Sequence, residues 1–156
     1  MNQDYEDRML EAFIQTPKKF KWYKEAFSKF NINGIKRVAW VWSWWAFFGG
    51  GFWYLLYRKA YLAAVLSFII VVVLNAILPF WGPMAFYILM GGYSVYFVYK
   101  KYLSLKSKIE SKIEDEEKRI ETMRILGGYN RWVIWVAGVI YSILFLLFVA
   151  LLVNNS

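Results

Sequence analysis

The residues best placed to do chemistry are Arg58 and Lys59, which stand side by side between Tyr57 and Tyr61. They are the only charged residues within 38–99, a stretch of 62 residues. Two adjacent cations beside apolar sequence can bind the phosphate of a lipid headgroup, and tyrosines favour the same depth. Alternatively, both side chains extend their charges to the membrane surface and fix the topology without a ligand. The second interpretation is the commoner one for such a pair, and the two are compatible.

The chain lacks the side chains that most catalytic centres need. It contains no Cys and no His, which removes thiol nucleophiles, histidine-based triads and Cys/His metal sites. Its acidic residues fall only within 4–25 and 110–121, and those of the second group alternate with bases, as on a solvated helix face. The glycine triplet 49–51 lacks the Lys and Ser/Thr of a phosphate-binding loop. We therefore predict that the protein is not an enzyme and holds no metal or cofactor.

Composition and charge indicate a membrane protein. Sixty per cent of the 156 residues are hydrophobic and 22% are aromatic, whereas ordinary domains are about 45–50% apolar. About 20 apolar residues in a helix cover the ~30 Å hydrocarbon layer. The net charge of +8 suits an anionic surface, and basic loops also fix topology. We predict that the partner is a bilayer with anionic phospholipid headgroups, and not nucleic acid.

The segment that leads into the Arg58–Lys59 pair predicts a hairpin and not a crossing. Residues 38–57 are 20 residues without a charge. Glycines 49–51 divide them into parts of 11 and 6 residues, about 16 and 9 Å long as helices, so neither part crosses alone. Five tryptophans favour the interface over the hydrocarbon centre. We expect a re-entrant or interfacial aromatic hairpin with the glycines at its tip.

The N-terminal region, residues 1–37, predicts two amphipathic helices. The first runs from Gln3 to Ile14, and acids in its early turns suit the helix dipole. The second begins at Thr16-Pro17, a capping residue followed by proline, and stops at Asn33-Gly34. Their aromatic faces suit equally the membrane interface and packing on another part of the protein.

Two further regions predict transmembrane helices. Residues 60–99 form a transmembrane helical hairpin, in which Ala60 to Leu78 spans, Pro79 to Pro83 turns and Met84 to Tyr99 returns. Residues 132–153 are 22 uncharged residues and form a third transmembrane helix.

Residues 100–131 predict a charged cytoplasmic helix between these regions. It carries nine basic and six acidic residues, and a helix from Lys100 to Leu126 would be about 40 Å long before Gly127-Gly128 ends it. Apolar residues recur near a heptad spacing, which is typical of a helix that packs on a partner. We predict an oligomer contact formed by Leu105, Ile109, Ile113, Ile120 and Met123.

The distribution of basic residues predicts the topology. The 19 basic residues fall into three groups of eight, two and nine, within 1–37, at 58–59 and within 100–131. If 38–57 turns back, all three groups share one face, and the uncharged turn and C-terminus lie on the other. The positive-inside rule favours this arrangement. We predict an all-α integral membrane protein with three transmembrane helices, a cytoplasmic N-terminus and a periplasmic C-terminus.

The stretch from Trp42 to Leu62, WSWWAFFGGGFWYLLYRKAYL, resembles the start of a bacterial domain-of-unknown-function family of small inner-membrane proteins, the HrgC-like proteins. The shared features are an aromatic run, a glycine-containing bend, an FW pair and the string LLYRK followed closely by tyrosine. The family usually has a single glycine, often followed by proline, where this chain has three. The resemblance covers about a third of the chain, from Trp42 to about Tyr102. It implies the bacterial inner membrane, and it brings no activity, substrate or catalytic residue.

These observations lead to one functional hypothesis and one alternative. Three thin spanning helices and unpartnered apolar faces favour a homo-oligomer. We expect a non-enzymatic inner-membrane protein that self-assembles and organises or deforms the bilayer. The alternative is an oligomeric pore or membrane-perturbing effector in stress or phage defence, and ion flux through the purified protein in liposomes would separate the two.

Overall fold

The computed structural model describes residues 3–32 and 34–154, and most of them are helical. The helices are α1 (Gln3–Ile14), α2 (Pro17–Ser28), α3 (Trp44–Phe48), α4 (Phe52–Tyr57), α5 (Tyr61–Ile77), α6 (Trp81–Glu110), α7 (Glu116–Leu126) and α8 (Arg131–Asn154). Two short strands, β1 (Asn31–Ile32) and β2 (Ile35–Lys36), pair antiparallel between α2 and α3. The predicted all-helical class is therefore confirmed, apart from this small hairpin.

The two N-terminal helices begin where the sequence predicted, and their aromatic faces pack on the protein. Pro17 occupies the first turn of α2, where its missing N–H costs nothing. Tyr23, Phe27 and Phe30 are buried. The Phe27 ring lies 5.1 Å from that of Tyr99 on α6, in an edge-to-face contact. Packing on another part of the protein was one of the two predicted uses of these faces.

The predicted end of the second helix at Asn33-Gly34 is wrong, because α2 ends at Ser28. Phe30 is fully buried, and its carbonyl accepts a hydrogen bond from the backbone N–H of Arg37 at 2.9 Å. This bond draws the chain into the β1–β2 hairpin instead of a further helical turn. Gly34 has a φ of +83°, as a tight turn requires, and Asn33 lies outside the described residues.

The glycine triplet separates the two short helices α3 and α4. Ser43 caps α3, and its hydroxyl oxygen accepts from the backbone N–H of Ala46 at 3.4 Å. Gly50 and Gly51 have φ values of +56° and +77°, which side chains other than glycine adopt only with strain. A Cβ at Gly51 would also overlap Met90 of α6. The segment is thus a helical hairpin with glycines at its turn.

Helices α5 and α6 form a second hairpin with a shorter turn than the predicted 79–83. α6 begins at Trp81, so Pro83 lies in its first turn, where proline is tolerated. α6 then runs for 30 residues and passes without a break from its apolar part into the charged segment that begins at Lys100.

The predicted continuous helix from Lys100 to Leu126 is wrong. α6 ends at Glu110, and a turn over 111–115 leads into α7. Asp115 caps α7, and its carboxylate accepts from the backbone N–H of Lys118 at 2.8 Å. Glu116 and Glu117 follow in the first turn, where acids favour a helix start. α7 therefore folds back, and packs on α1 and on α6.

α8 is the one helix within the described residues that is long and apolar enough to cross a membrane. Most of its apolar part is exposed, although Val133 near its beginning is buried. α8 packs on α4. α5 is equally apolar but shorter, at 17 residues.

Buried residues concentrate at the charged end of the molecule. There α1, α2, α7 and residues 100–110 of α6 form a compact unit, here named the basic subdomain. Its centre is made of apolar and aromatic side chains, namely Met9, Phe13, Tyr23, Phe27, Phe30, Tyr102, Ile109 and Met123. Lys106 is nearly buried among them and pairs with Glu6 and with Glu110, the latter at 3.8 Å. The remaining helices, α3, α4, α5 and α8, form the apolar part of the molecule together with residues 81–99 of α6, and the basic subdomain packs on this part.

Candidate functional site at three helix ends

Arg58 lies at the C-terminal end of α4 and exposes only 3% of its surface. Its Nη1 donates to the carbonyl oxygen of Ile14 at 3.0 Å. Its guanidinium carbon lies 4.5 Å from the ring centre of Tyr23 and 5.2 Å from that of Tyr57. Because Ile14 is the last residue of α1, this bond joins the end of α1 to the end of α4.

Lys59 has a backbone φ of +56°, in the left-handed region where glycine usually follows a helix. Its Nζ donates to the carbonyl oxygen of Gly127 at 2.7 Å. Gly127 is the residue that caps the C-terminal end of α7. Lys59 therefore brings a second helix end to the same place.

Lys101, on α6, completes the group, and the sequence reasoning missed it. Its Nζ donates to the carbonyl oxygen of Arg58 at 3.0 Å, at the end of α4, and lies 5.5 Å from the ring centre of Phe13. Burial, and then the charges of Lys59 and Arg58, lower the pKa of Lys101 from 10.5 to about 8. In the sequence, Lys101 is notable only because it stands at the start of the charged segment. No sequence pattern indicates that it lies close to Arg58 and Lys59, which are 43 and 42 residues earlier.

The three bonds share one physical cause. Each cation donates to a backbone carbonyl at a helix C-terminal end, of α1, α7 and α4 in turn. These carbonyls have no partner within their helix, and together with the dipole they give each end at most about half a negative charge. Cations satisfy such carbonyls and are stabilised by the dipole. The site thus gathers three helix ends around Arg58, Lys59 and Lys101.

No carboxylate balances these charges within residues 3–32 and 34–154, where every ion pair joins other residues. The Nε of Arg58 is buried and has no hydrogen-bond partner in that part of the chain. Buried charges are normally paired. The arrangement is therefore suited to an anion, which would complete the hydrogen bonds of the lysines.

The two tyrosines that the sequence grouped with the cations have different positions. Tyr57 lies beside Arg58, and its ring centre is 5.0 Å from that of Tyr129. Tyr61 is half exposed at the start of α5, and its hydroxyl accepts from the side-chain amide of Asn130 at 3.1 Å. The backbone N–H of Asn130 also donates to the carbonyl of Tyr57 at 2.8 Å, so the start of α8 is fixed to this site.

The structure places the residues of the predicted oligomer contact inside one chain. Ile109, Ile120 and Met123 are buried, with 3%, 6% and 0% of their surface exposed, and Leu105 and Ile113 pack against the same core. The stripe is covered because α7 folds back onto α1 and α6. These residues are therefore not a free surface for a second copy.

Comparisons of the chain with protein-family models, with curated proteins and with solved structures found no match. Fold and site together define a class: an all-helical protein with one helix suited to span a membrane and a cationic site where three other helices end. The resemblance to HrgC-like proteins stays a prediction.

Proposed function

We propose that this chain is a non-enzymatic protein of the bacterial inner membrane that organises or deforms the bilayer by occupying one leaflet more than the other. It crosses the membrane three times, through α5, residues 81–99 of α6 and α8. Its N-terminus and basic subdomain lie on the cytoplasmic side, and its C-terminus lies on the periplasmic side.

The lengths and surfaces of the helices support this insertion. As helices, the 17 residues of α5, the 19 apolar residues of α6 and the 24 residues of α8 are about 26, 29 and 36 Å long, against a hydrocarbon layer of ~30 Å. Large apolar side chains stand exposed along them, including Leu62 at 76% and Trp135 at 78%. Contiguous apolar surface on this scale favours lipid over water.

The main support for the proposal is the position of the α3–α4 hairpin along α6 and α8. The backbone N–H of Ser43 donates to the carbonyl of Gly91 at 2.7 Å, and Gly91 lies nine residues, or about 14 Å, before Lys100 on α6. The hydroxyl of Tyr141 donates to the carbonyl of Phe48 at 3.1 Å, ten residues, or about 15 Å, into α8. Both distances end near the middle of a ~30 Å layer.

Such a hairpin gives the protein the form of a wedge in the membrane. The cytoplasmic leaflet would contain three crossing helices together with α3, α4 and the extended residues 41–43, whereas the outer leaflet would contain the three crossing helices alone. Irregular backbone at this depth is tolerated where protein covers it, and here the glycines of α6 accept its hydrogen bonds. Self-assembly remains part of the proposal, through the lipid-facing sides of α5 and α8, since the charged helix has no free apolar stripe.

Single cysteines test the insertion, because the natural chain has none. Ser111→Cys, beyond the end of α6, should react with a membrane-impermeant maleimide only from the cytoplasmic side. Phe80→Cys, between α5 and α6, should react only from the periplasmic side. A fluorophore on Trp45→Cys in α3 should be quenched by lipids brominated near the middle of the chain. Labelling of positions 80 and 111 from one side would refute the three crossings.

Reconstitution into liposomes tests the deformation. The wild-type protein should convert large vesicles into smaller or tubular ones by electron microscopy, without releasing a trapped dye. Gly91→Leu is the matched control, because a Cβ at this position would lie 2.8 Å from the Trp42 ring and 3.2 Å from the Cβ of Phe47, and would push the hairpin away. Vesicles of unchanged shape would refute the wedge, and dye release would favour the pore alternative instead.

A further inference from the structure

We infer that Lys59 and Lys101, with Arg58 beside them, bind the phosphate group of an anionic phospholipid in the cytoplasmic leaflet. This inference rests on the membrane insertion proposed above. It goes further by naming the ligand and by adding Lys101 to the site.

The described residues do not by themselves balance the charges of the site. Three cations meet here, and the three helix ends that they contact supply at most about half a negative charge each. At least about 1.5 positive charges therefore stay unbalanced, and within the described residues no carboxylate pairs with them. A phosphate diester supplies one negative charge, which offsets most of this excess, and oxygens that are strong hydrogen-bond acceptors.

Lys59 and Lys101 have N–H donors that no carbonyl of the described residues uses. An ammonium group has three N–H donors, and the hydrogen bonds of Lys59 and Lys101 to backbone carbonyls use one on each. Both side chains are half-buried, so they reach the surface. Arg58, the neighbour of Lys59 in the chain, is buried, and its Nε has no hydrogen-bond partner within residues 3–32 and 34–154. Two ammonium groups with spare donors beside a buried guanidinium form a site for one tetrahedral anion.

Lys59 has an unusual backbone conformation for a residue with a side chain. Its left-handed backbone, with φ of +56°, would be relaxed by glycine. Within the described residues, glycine occupies four positions with positive φ, and Gln15, Lys59 and Phe80 occupy three more; of these seven residues only Lys59 is charged. A strained residue that carries a charged side chain is typical of a functional position.

The level of the site in the membrane selects a lipid over a soluble anion. Lys101 stands where α6 changes from apolar to charged, and the start of α8 is fixed beside it through Asn130 and the carbonyl of Tyr57. The exposed aliphatic side chains of α5 begin at Leu62, three residues after Lys59. A headgroup at this place would leave its acyl chains on that surface. Burial and the charges of Lys59 and Arg58 lower the pKa of Lys101, and an anion bound here would favour its charged form.

The test is a titration of the full-length protein in a zwitterionic detergent, read by native mass spectrometry. The probes are short-chain phosphatidylglycerol, short-chain phosphatidylcholine and inorganic phosphate. Lys59→Gly removes one charge and relaxes the backbone, and Lys101→Met keeps the aliphatic stem near Phe13. Lys112→Met, an exposed lysine at the far end of the basic subdomain, is the control. Thermal unfolding of each variant shows that the fold is kept.

We expect phosphatidylglycerol to bind at lower concentration than phosphatidylcholine. Lys59→Gly and Lys101→Met should each weaken the binding of phosphatidylglycerol about fivefold, which is the contribution of about one surface lysine to the binding of an anionic lipid. Lys112→Met should leave the affinity unchanged. Equal binding of the two lipids, or wild-type binding by both variants, would overturn the inference. Displacement of phosphatidylglycerol by an equal concentration of inorganic phosphate would assign the site to a soluble anion. If the maleimide pattern is as proposed and lipid selectivity is absent, only this inference fails.

Discussion

Replacing Arg58 with methionine should detach α1 from the rest of the molecule. The change removes a charge-assisted hydrogen bond worth about 1.5–3 kcal/mol. The carbonyl of Ile14 keeps its other hydrogen bond, from the hydroxyl of Thr16 at 2.9 Å. The contacts of the guanidinium with the rings of Tyr23 and Tyr57 add about 1 kcal/mol. Burial of an apolar side chain in place of a charge returns part of this loss. We expect a net destabilisation of about 2–4 kcal/mol.

Hydrogen exchange of the detergent-solubilised protein measures this loss where it occurs. Amides of α1 should exchange about 100-fold faster in Arg58→Met, which corresponds to about 2.7 kcal/mol of local opening. The exchange rates of amides in residues 81–99 of α6 and in α8 should change little, because the lost hydrogen bond joins α1 to the end of α4 and not to these segments. Arg58→Lys should recover only part of the protection, because lysine lacks the planar guanidinium that lies over the two rings.

Arg124→Met is the matched control, since it makes the same substitution at an exposed site. Its ion pair with Glu121 is 3.7 Å long with both side chains more than half exposed, and such pairs contribute about 0–1 kcal/mol. Unchanged exchange of α1 in Arg58→Met, or equal effects of the two variants, would refute the role given to Arg58.

Three further predictions follow from other parts of the structure. Gly92→Val should undock residues 38–43 from α6, because its Cβ would lie 2.5 Å from ring atoms of Trp40, and protease should then cut within 38–43. The pKa of Lys101 is about 8 in the folded protein and 10.5 ordinarily, so the lipid-free protein should become more stable as the pH rises from about 8 towards 10. At lower pH the folded protein bears the cost of a buried charge, and within this range it loses the proton before the unfolded chain does. Lys101→Met should abolish this rise in melting temperature. Asp115→Ala should cost about 1 kcal/mol by loss of the α7 cap, with faster exchange confined to α7, whereas equal exchange throughout would contradict the cap.

The helix starts were predictable because local chemistry decides them. Within a helix, a proline such as Pro17 is tolerated only in the first turn. Three successive glycines interrupt a helix through their own low helix propensity. The return of α7 was not predictable in the same way. Asp115 and Arg119 stand four residues apart, which is the spacing of an ion pair within one helix. In the structure the first caps α7, and the second donates to the carbonyl of Ile113 at 2.6 Å across the turn.

The candidate site was predictable only in part, because half of it is backbone. Arg58 and Lys59 stand out in an uncharged stretch, so the sequence identified them. Their partners are carbonyl groups of Ile14 and Gly127, and a carbonyl is present at every residue, so no side chain marks these positions. The third cation, Lys101, joins them through a carbonyl as well. Only the packing of α1, α4 and α7 decides which carbonyls meet.

These backbone carbonyls connect the basic subdomain to the loop between α4 and α5, which we propose lies at the membrane surface. α1 and α7 end at Arg58 and Lys59, which belong to the loop between α4 and α5. Lys59 would hold both the phosphate and the end of α7, and its neighbour Arg58 holds the end of α1. We expect lipid binding to stabilise the docking of the two helices, and docking then strengthens lipid binding by the same factor. Phosphatidylglycerol should therefore slow the hydrogen exchange of α1 and α7 in the wild-type protein, and Lys59→Gly should remove this protection. Equal protection by phosphatidylcholine would show that the subdomain docks independently of the headgroup.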